Sequence, residues 1–75
     1  IGQFTGLCDR KGKEIYEGDI FQRYNSIVDK VEFLEICYAE NLCAFWVKGF
    51  GNLNRDVSKH FEVIGNIYEN PELIK

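Results

Sequence analysis

Short apolar runs broken by polar turn clusters pattern the chain from one end to the other. Phe4-Thr5-Gly6-Leu7 is a β-prone stretch. Asp9-Arg10-Lys11-Gly12-Lys13 follows, with Asp early and Gly late as a turn requires, and Glu14-Ile15-Tyr16 runs back as a partner strand. Glu17-Gly18-Asp19 is a second turn leading into a strand from Ile20 to Tyr24, and Asn25-Ser26 makes a third.

Two periods fit the stretch Ile27 to Tyr38. Val31 and Phe33 share one strand face while Leu34, Ile36 and Tyr38 share the other, which predicts a β-bulge between Phe33 and Leu34. Ile27, Val31, Leu34 and Tyr38 also form one helical stripe. The β-branched residues and the short flanking strands favour strand. After a turn at Ala39-Glu40-Asn41, Leu42 to Lys48 reads as a strand, with Leu42, Ala44 and Trp46 on one face and Cys43, Phe45 and Val47 on the other. Gly49-Phe50-Gly51-Asn52 is a loop, and the spacing of Leu53, Val57 and Phe61 predicts one or two helical turns. Glu62 to Tyr68 is the last strand, and Asn70-Pro71 is a helix-start signal in a short tail. Turns recurring roughly every 8–12 residues predict a mainly β domain, a sandwich or small barrel with a short helical turn.

Seventy-five residues provide for one domain over 1–75, and 45% hydrophobic with 15% aromatic content supplies an efficient core. The net charge of −3 sets the chain at a disadvantage for holding a phosphate backbone. No apolar run approaches the roughly 18 residues that span a membrane. With no Met, and beginning at Ile1, the chain reads as a trimmed or partial product. Cys8, Cys37 and Cys43 are odd in number and lack a CxxC pair, so neither a disulfide framework nor a zinc site is indicated. If the turn after Tyr38 has two or four residues, Tyr38 faces Cys43 and Cys37 faces Ala44, turning the two thiols to opposite sides of the sheet. Reduced thiols in a cytoplasm are the simpler reading.

No residue cluster specifies a reaction or a cofactor. Glu14, Glu17 and Asp19 lack the alternating ligands of a calcium loop and read as solvated turn carboxylates. His60 is the only histidine and has no visible orienting partner beyond Asp56 four residues earlier. Cys8 lies near cations that lower a thiol pKa, but without a base it reads as passive. Arg10, Lys11 and Lys13 are the best electrostatic feature, three charges able to touch a nucleic-acid backbone or a partner, with a solvated hairpin turn as the plainer account. Tyr24, Phe45, Trp46 and Phe50 are a set able to line a peptide groove or stack bases, but in so short a chain they are also the obvious core, with Phe50 on its glycine loop the best-placed exception. A strand apolar on both faces needs a second cover, which makes Phe45, Val47 and Phe50 candidate contact residues in a homo-oligomer, unless the tail Pro71 to Ile74 supplies the cover.

The two ends of the chain resemble a specific family. Phe4-Thr5-Gly6-Leu7, then Gly12-Lys13-Glu14-Ile15-Tyr16-Glu17-Gly18-Asp19-Ile20, and finally Glu62-Val63-Ile64-Gly65-Asn66-Ile67-Tyr68-Glu69-Asn70-Pro71-Glu72-Leu73 are similar to the hallmark blocks of YopX-like proteins. The blocks cover about half of the chain; Phe21 to Phe61 does not carry the likeness, and Cys8 and Arg10 are idiosyncratic. The resemblance implies a protein of phages and prophages of Gram-positive bacteria, with an SH3-like β-roll, and a chain that corresponds to the C-terminal part of longer members. It implies no activity and no catalytic residue. Gly6, Gly18 and Gly65 become expected fold determinants, and Ile15, Ile20, Val63 and Ile67 expected core. The resulting expectation is a non-enzymatic accessory domain of the host cytoplasm, without cofactor or membrane, working on itself or on a phage or host protein. A nucleic-acid-binding barrel is the alternative.

Overall fold

The segment that both periods fit is a strand. The computed structural model describes residues 2–74, and in it Lys30–Ala39 forms the longest strand, here β4. It follows β1 (Phe4–Cys8), β2 (Glu14–Tyr16) and β3 (Asp19–Asn25). A 3-10 turn at Glu40–Leu42 leads to β5 (Ala44–Val47) and β6 (Gly51–Asn52). One helical turn, α1 (Arg55–Ser58), precedes β7 (Glu62–Asn66), and a second 3-10 turn at Pro71–Ile74 ends the described chain. Asn54 starts α1 by accepting a hydrogen bond from the Val57 N–H on its side chain (2.9 Å).

Five strands form one antiparallel sheet in the order β6-β5-β4-β3-β7, and β1 pairs with β2 alone. The mainly β class predicted from turn spacing is what forms. The sheet does not close into the expected barrel, because β1 and β2 pair with each other instead of bridging its two edges. The core is Ile15, Phe21, Ile36, Val47, Leu53, Phe61 and Val63, with Leu7, Leu34, Phe45 and Val57 packed against it. Phe21 and Phe61 stack at a tilt with centroids 5.2 Å apart. The β1–β2 hairpin contributes Leu7 and Ile15 to this layer, and α1, which packs on β1, contributes Val57. One face of the sheet is therefore covered. By strand alternation the other carries Tyr24, Val31, Phe33 and Trp46.

Three details depart from the sequence reading. No bulge separates Phe33 from Leu34, since β4 keeps one register against β3 from Glu35 opposite Ile20 to Lys30 opposite Asn25. The change of phase arises because both faces of β4 carry apolar residues, Leu34 and Ile36 towards the core, Val31 and Phe33 away from it. The register break lies instead in β7, where Ile64 is the extra residue between Val63, opposite Phe21, and Gly65, opposite Ile20.

The strand expected from Leu42 begins only at Ala44. Leu42 belongs to the 3-10 turn, and Cys43 closes it in the left-handed region at φ 50°. Tyr38 then faces Phe45 and Cys37 faces Trp46, two residues away from the pairing expected for the thiols. All three cysteines are free.

Phe45 and Val47 are the core side of β5, not the contact side. Val47 is fully buried, and Phe45 packs on the core and edge-on against Tyr38 with centroids 5.1 Å apart. Ala44 and Trp46 face outwards. Ile20, which alternation also turns away from the core, is fully buried, and the Pro71–Ile74 turn packs against β4, so this end of the outer face is sheltered within the chain.

Candidate functional site

The basic turn is organised around one carboxylate. Asp9 is buried between β1 and the turn, where its Oδ1 accepts hydrogen bonds from the N–H groups of Lys11 and Lys13 (2.9 Å each). Its Oδ2 accepts from the N–H of Val63 (2.9 Å), which ties the first hairpin to the last strand. Burial by itself raises the Asp9 pKa, but the three backbone donors outweigh it and hold the carboxyl below its ordinary value. Above the turn, Glu62 binds Arg10 at 2.9 Å and lies 3.7 Å from the Lys11 ammonium. The Arg10 hydrogen bond leads the effects that keep the Glu62 carboxyl low. Two of the three candidate cations thus face a carboxylate of the same chain, and the run presents less positive charge than its spelling suggests.

Phe50 sits at the margin of the core. Its ring meets Phe61 edge-on (5.3 Å between centroids), and the Arg23 guanidinium lies over it at 5.3 Å from its centroid. Arg23 also pairs with Glu32 at 3.0 Å. Phe50 remains half exposed, a rim residue under a cation.

The uncovered apolar surface lies on a ribbon that outruns the sheet. β4 pairs with β5 only from Ile36 to Ala39, and β3 pairs with β7 only from Asp19 to Gln22. Residues 23–34 therefore extend as a two-stranded ribbon with no paired strand on either side, though Leu34 still packs on the core and Arg23 on Phe50. On their outer face Tyr24 is 59% exposed and its cross-strand partner Val31 50% exposed. Phe33 extends the patch, and Ile27 and Val28 stand at the tip, with Ile27 93% exposed. The Tyr24 hydroxyl donates to the Asp29 carboxylate, which closes the tip and leads the effects that push the Tyr24 phenol upward.

Sequence reasoning put Tyr24 and Trp46 in the core, whereas both lie on the outer face, and it did not single out Val31, Phe33, Ile27 or Val28 as contacts. A signal was present in Ile27-Val28, two β-branched residues directly after the Asn25-Ser26 turn, where no strand can bury both.

The end blocks meet in space. Gly18 donates its N–H to the Ile36 carbonyl (2.8 Å) and accepts from the Ile67 N–H (2.8 Å), so the turn before β3 is locked between β4 and the segment after β7. Asp19 beside it is buried and accepts from the Tyr16 N–H (2.8 Å); burial raises its pKa. On the other block, a Cβ on Gly65 would run into the Asn70 carboxamide, so any larger residue would displace that side chain from its present position. Asn70 donates its N–H to the Asn66 carbonyl (2.8 Å), and Asn66 Oδ1 accepts from the N–H groups of Tyr68 and Glu69 (3.0 and 2.8 Å).

The family model described as YopX protein covers residues 1–75, the whole chain. The chain belongs to the YopX family. The match includes Phe21 to Phe61, so the YopX likeness is not confined to the ends as their residues suggested. No curated protein matches the chain significantly. In YopX terms the blocks read as architecture: Gly18 and Gly65 permit close approaches, Gly6 has a positive φ with open space around it, Ile15 and Val63 are core, and Ile20 is buried on the other face, while Ile67, expected in the core, is only half-buried.

The remaining candidates stay apart from any assembled chemistry. Glu14 accepts a hydrogen bond from the Tyr16 hydroxyl (3.0 Å). Cys8 and His60 are exposed. Among the described residues no group of three His, Cys, Asp or Glu side chains is arranged to hold a metal ion. No helix among them is long and apolar enough to cross a membrane.

Proposed function

We propose that this YopX-family chain is a non-enzymatic phage accessory protein that works in the host cytoplasm through protein contacts, self-association first among them. The observation that carries this reading is the apolar outer face of the β3–β4 ribbon, with Tyr24, Val31 and Phe33 in one cluster and Ile27 and Val28 at its tip. Single exposed apolar residues are ordinary on soluble proteins, but a contiguous group on an unsupported ribbon is the kind of surface that marks a contact site. A free two-stranded ribbon is marginal in water and gains from an added neighbour. The most buried carboxylates, Asp9 and Asp19, engage backbone N–H groups, which gives them a structural task.

The test is light scattering coupled to size-exclusion chromatography over a wide concentration range. The expected result is a mass that rises above 8.7 kDa with concentration and falls back in Phe33→Ser. A monomer mass throughout overturns the reading.

A further inference from the structure

The ribbon carries an open hydrogen-bonding edge as well as an apolar face. In β4 the Glu35 carbonyl accepts from the Lys48 N–H (2.9 Å) on the β5 side, while the Ile36 carbonyl accepts from the Gly18 N–H (2.8 Å) on the opposite side. Backbone groups alternate sides along a strand. Val31 and Phe33, in phase with Glu35, therefore turn their N–H and C=O groups towards the β5 side. No strand reaches them there, because β5 ends at Val47 and the Lys48–Glu35 bond is its last. Among the described residues none of these four groups has a hydrogen-bond partner. The opposite side of the ribbon leaves only Tyr24 in the same condition, since Gln22 is the last β3 residue paired with β7. The β4 edge is the longer opening.

We infer that this edge pairs antiparallel with the same edge of a second copy, about a twofold axis beside Val31, so that the two five-stranded sheets join through their ribbons. This rests on the self-association reading above and specifies where it happens.

The register follows from three constraints. An axis at Val31 lets the two valines exchange both of their backbone hydrogen bonds across it, as a hydrogen-bonded antiparallel pair does. It also sets Lys30 opposite the partner's Glu32, twice by symmetry, and Lys30 has no ion pair among the described residues. An axis at Glu32 would place two carboxylates directly opposite each other, which is unfavourable. An axis at Phe33 would carry the incoming strand to Glu35, where Lys48 already occupies the edge.

The Val31 register also continues the outer face. Tyr24 lies opposite Val31 within each chain, so the order across the joined ribbons is Tyr24, Val31, the partner's Val31, the partner's Tyr24. Residues now half exposed gain neighbours on the side that lacks them. Two short strands make a small interface, of the class found in weak, reversible complexes.

Sedimentation velocity on the full chain tests the register by charge exchange. K30E is expected to weaken the dimer by about tenfold, because two cross-strand pairs turn from attraction to repulsion together, and E32K by at least as much, because it also sets a lysine opposite Arg23 within each chain. An equimolar mixture of the two variants is expected to recover it as a heterodimer, since each chain then faces the opposite charge. Val31→Pro removes an N–H that the monomer does not use and is expected to abolish association. Circular dichroism reports whether that variant folds, and the mixing arm decides the matter if it does not. A wild-type dimer with no recovery on mixing and no loss in folded Val31→Pro overturns the edge and leaves self-association standing. A wild-type monomer at every concentration overturns both.

Discussion

The Tyr68 ring occupies the place where a side chain on residue 18 would stand: a Cβ on Gly18 would come within 2.9 Å of Tyr68 Cε2. Gly18 also has φ +92°, a conformation that L side chains rarely adopt. Gly18→Ala is therefore expected to destabilise the chain by more than the roughly 1–2 kcal/mol of left-handed strain alone. Gly12→Ala is the control, with φ +83° and nothing within 4 Å of the added carbon. Thermal melts should rank Gly18→Ala below Gly12→Ala, and adding Tyr68→Ala should recover part of the difference. Equal melting temperatures for the two alanine variants would remove the close approach as a determinant.

The two buried aspartates should respond to pH in opposite senses. Asp9 has a lowered folded pKa, so its contribution is present above the unfolded value of about 3.9 and is lost as pH falls through the folded value. Both Asp9 oxygens accept from N–H groups, and Asn would have to turn its NH2 towards one of them. Asp9→Asn is expected to cost about 1.5 kcal/mol or more at neutral pH, roughly 6–12 °C in a domain of this size. Asp19 has a raised folded pKa, so its contribution grows as pH falls from the folded value towards the unfolded one. Asp19→Asn keeps an acceptor for Tyr16 and is expected to melt at or above wild type at neutral pH. Melting curves at neutral and acid pH check both, and an Asp9→Asn protein as stable as wild type contradicts the role assigned to that carboxylate.

The basic turn yields a prediction about DNA. With Glu62 facing Arg10 and Lys11, duplex binding is expected to be weak, with a log–log salt slope no steeper than about −3. Glu62→Gln should strengthen binding at low salt. Polarisation titrations over a salt series read both quantities, and tight binding by wild type at physiological salt would promote the nucleic-acid alternative.

Phe45 and Phe33 separate core from contact. Phe45→Ser removes a ring packed on the core and is expected to cost at least about 2 kcal/mol. Phe33→Ser, on the outer face, should stay within about 1 kcal/mol of wild type while reducing association. Denaturant midpoints compared with light-scattering masses distinguish the two effects. Equal stability losses would place Phe33 in the core as well.

Much of this architecture is legible in one dimension. Turn chemistry at Asp9–Gly12 and at Asn25-Ser26 located the first hairpins, and Leu53, Val57 and Phe61 announced the single turn of α1, because these signals are local. Which face of a strand is covered is not local. The cover over Ile36 and Val47 comes from Leu7 and Ile15, at the opposite end of the sequence, and from Leu53, Val57 and Phe61. Without that information Val31 and Phe33 looked like a bulge and Phe45 and Val47 like a contact. The contact surface was hidden for the same reason, since Tyr24 and Val31 stand out only once β5 and β7 are seen to stop short of them.

The bond from the Val63 N–H to Asp9 joins residues 54 positions apart, and β3, next to the sheet edge, has β7 as one of its two neighbours. This has a consequence for the order of events during synthesis. A ribosome delivers β3 and β4 well before β7, and until Phe61 and Val63 emerge, Phe21 has no wall on that side. The early hairpins are assembled from contacts near in sequence, while closure waits for a loop of some forty residues to meet its ends, a slow entropic step compared with hairpin formation. The chain is therefore expected to become protease-resistant only after its last strand has left the exit tunnel. An arrested nascent chain ending near Lys59 should remain as open to cleavage as an unfolded one.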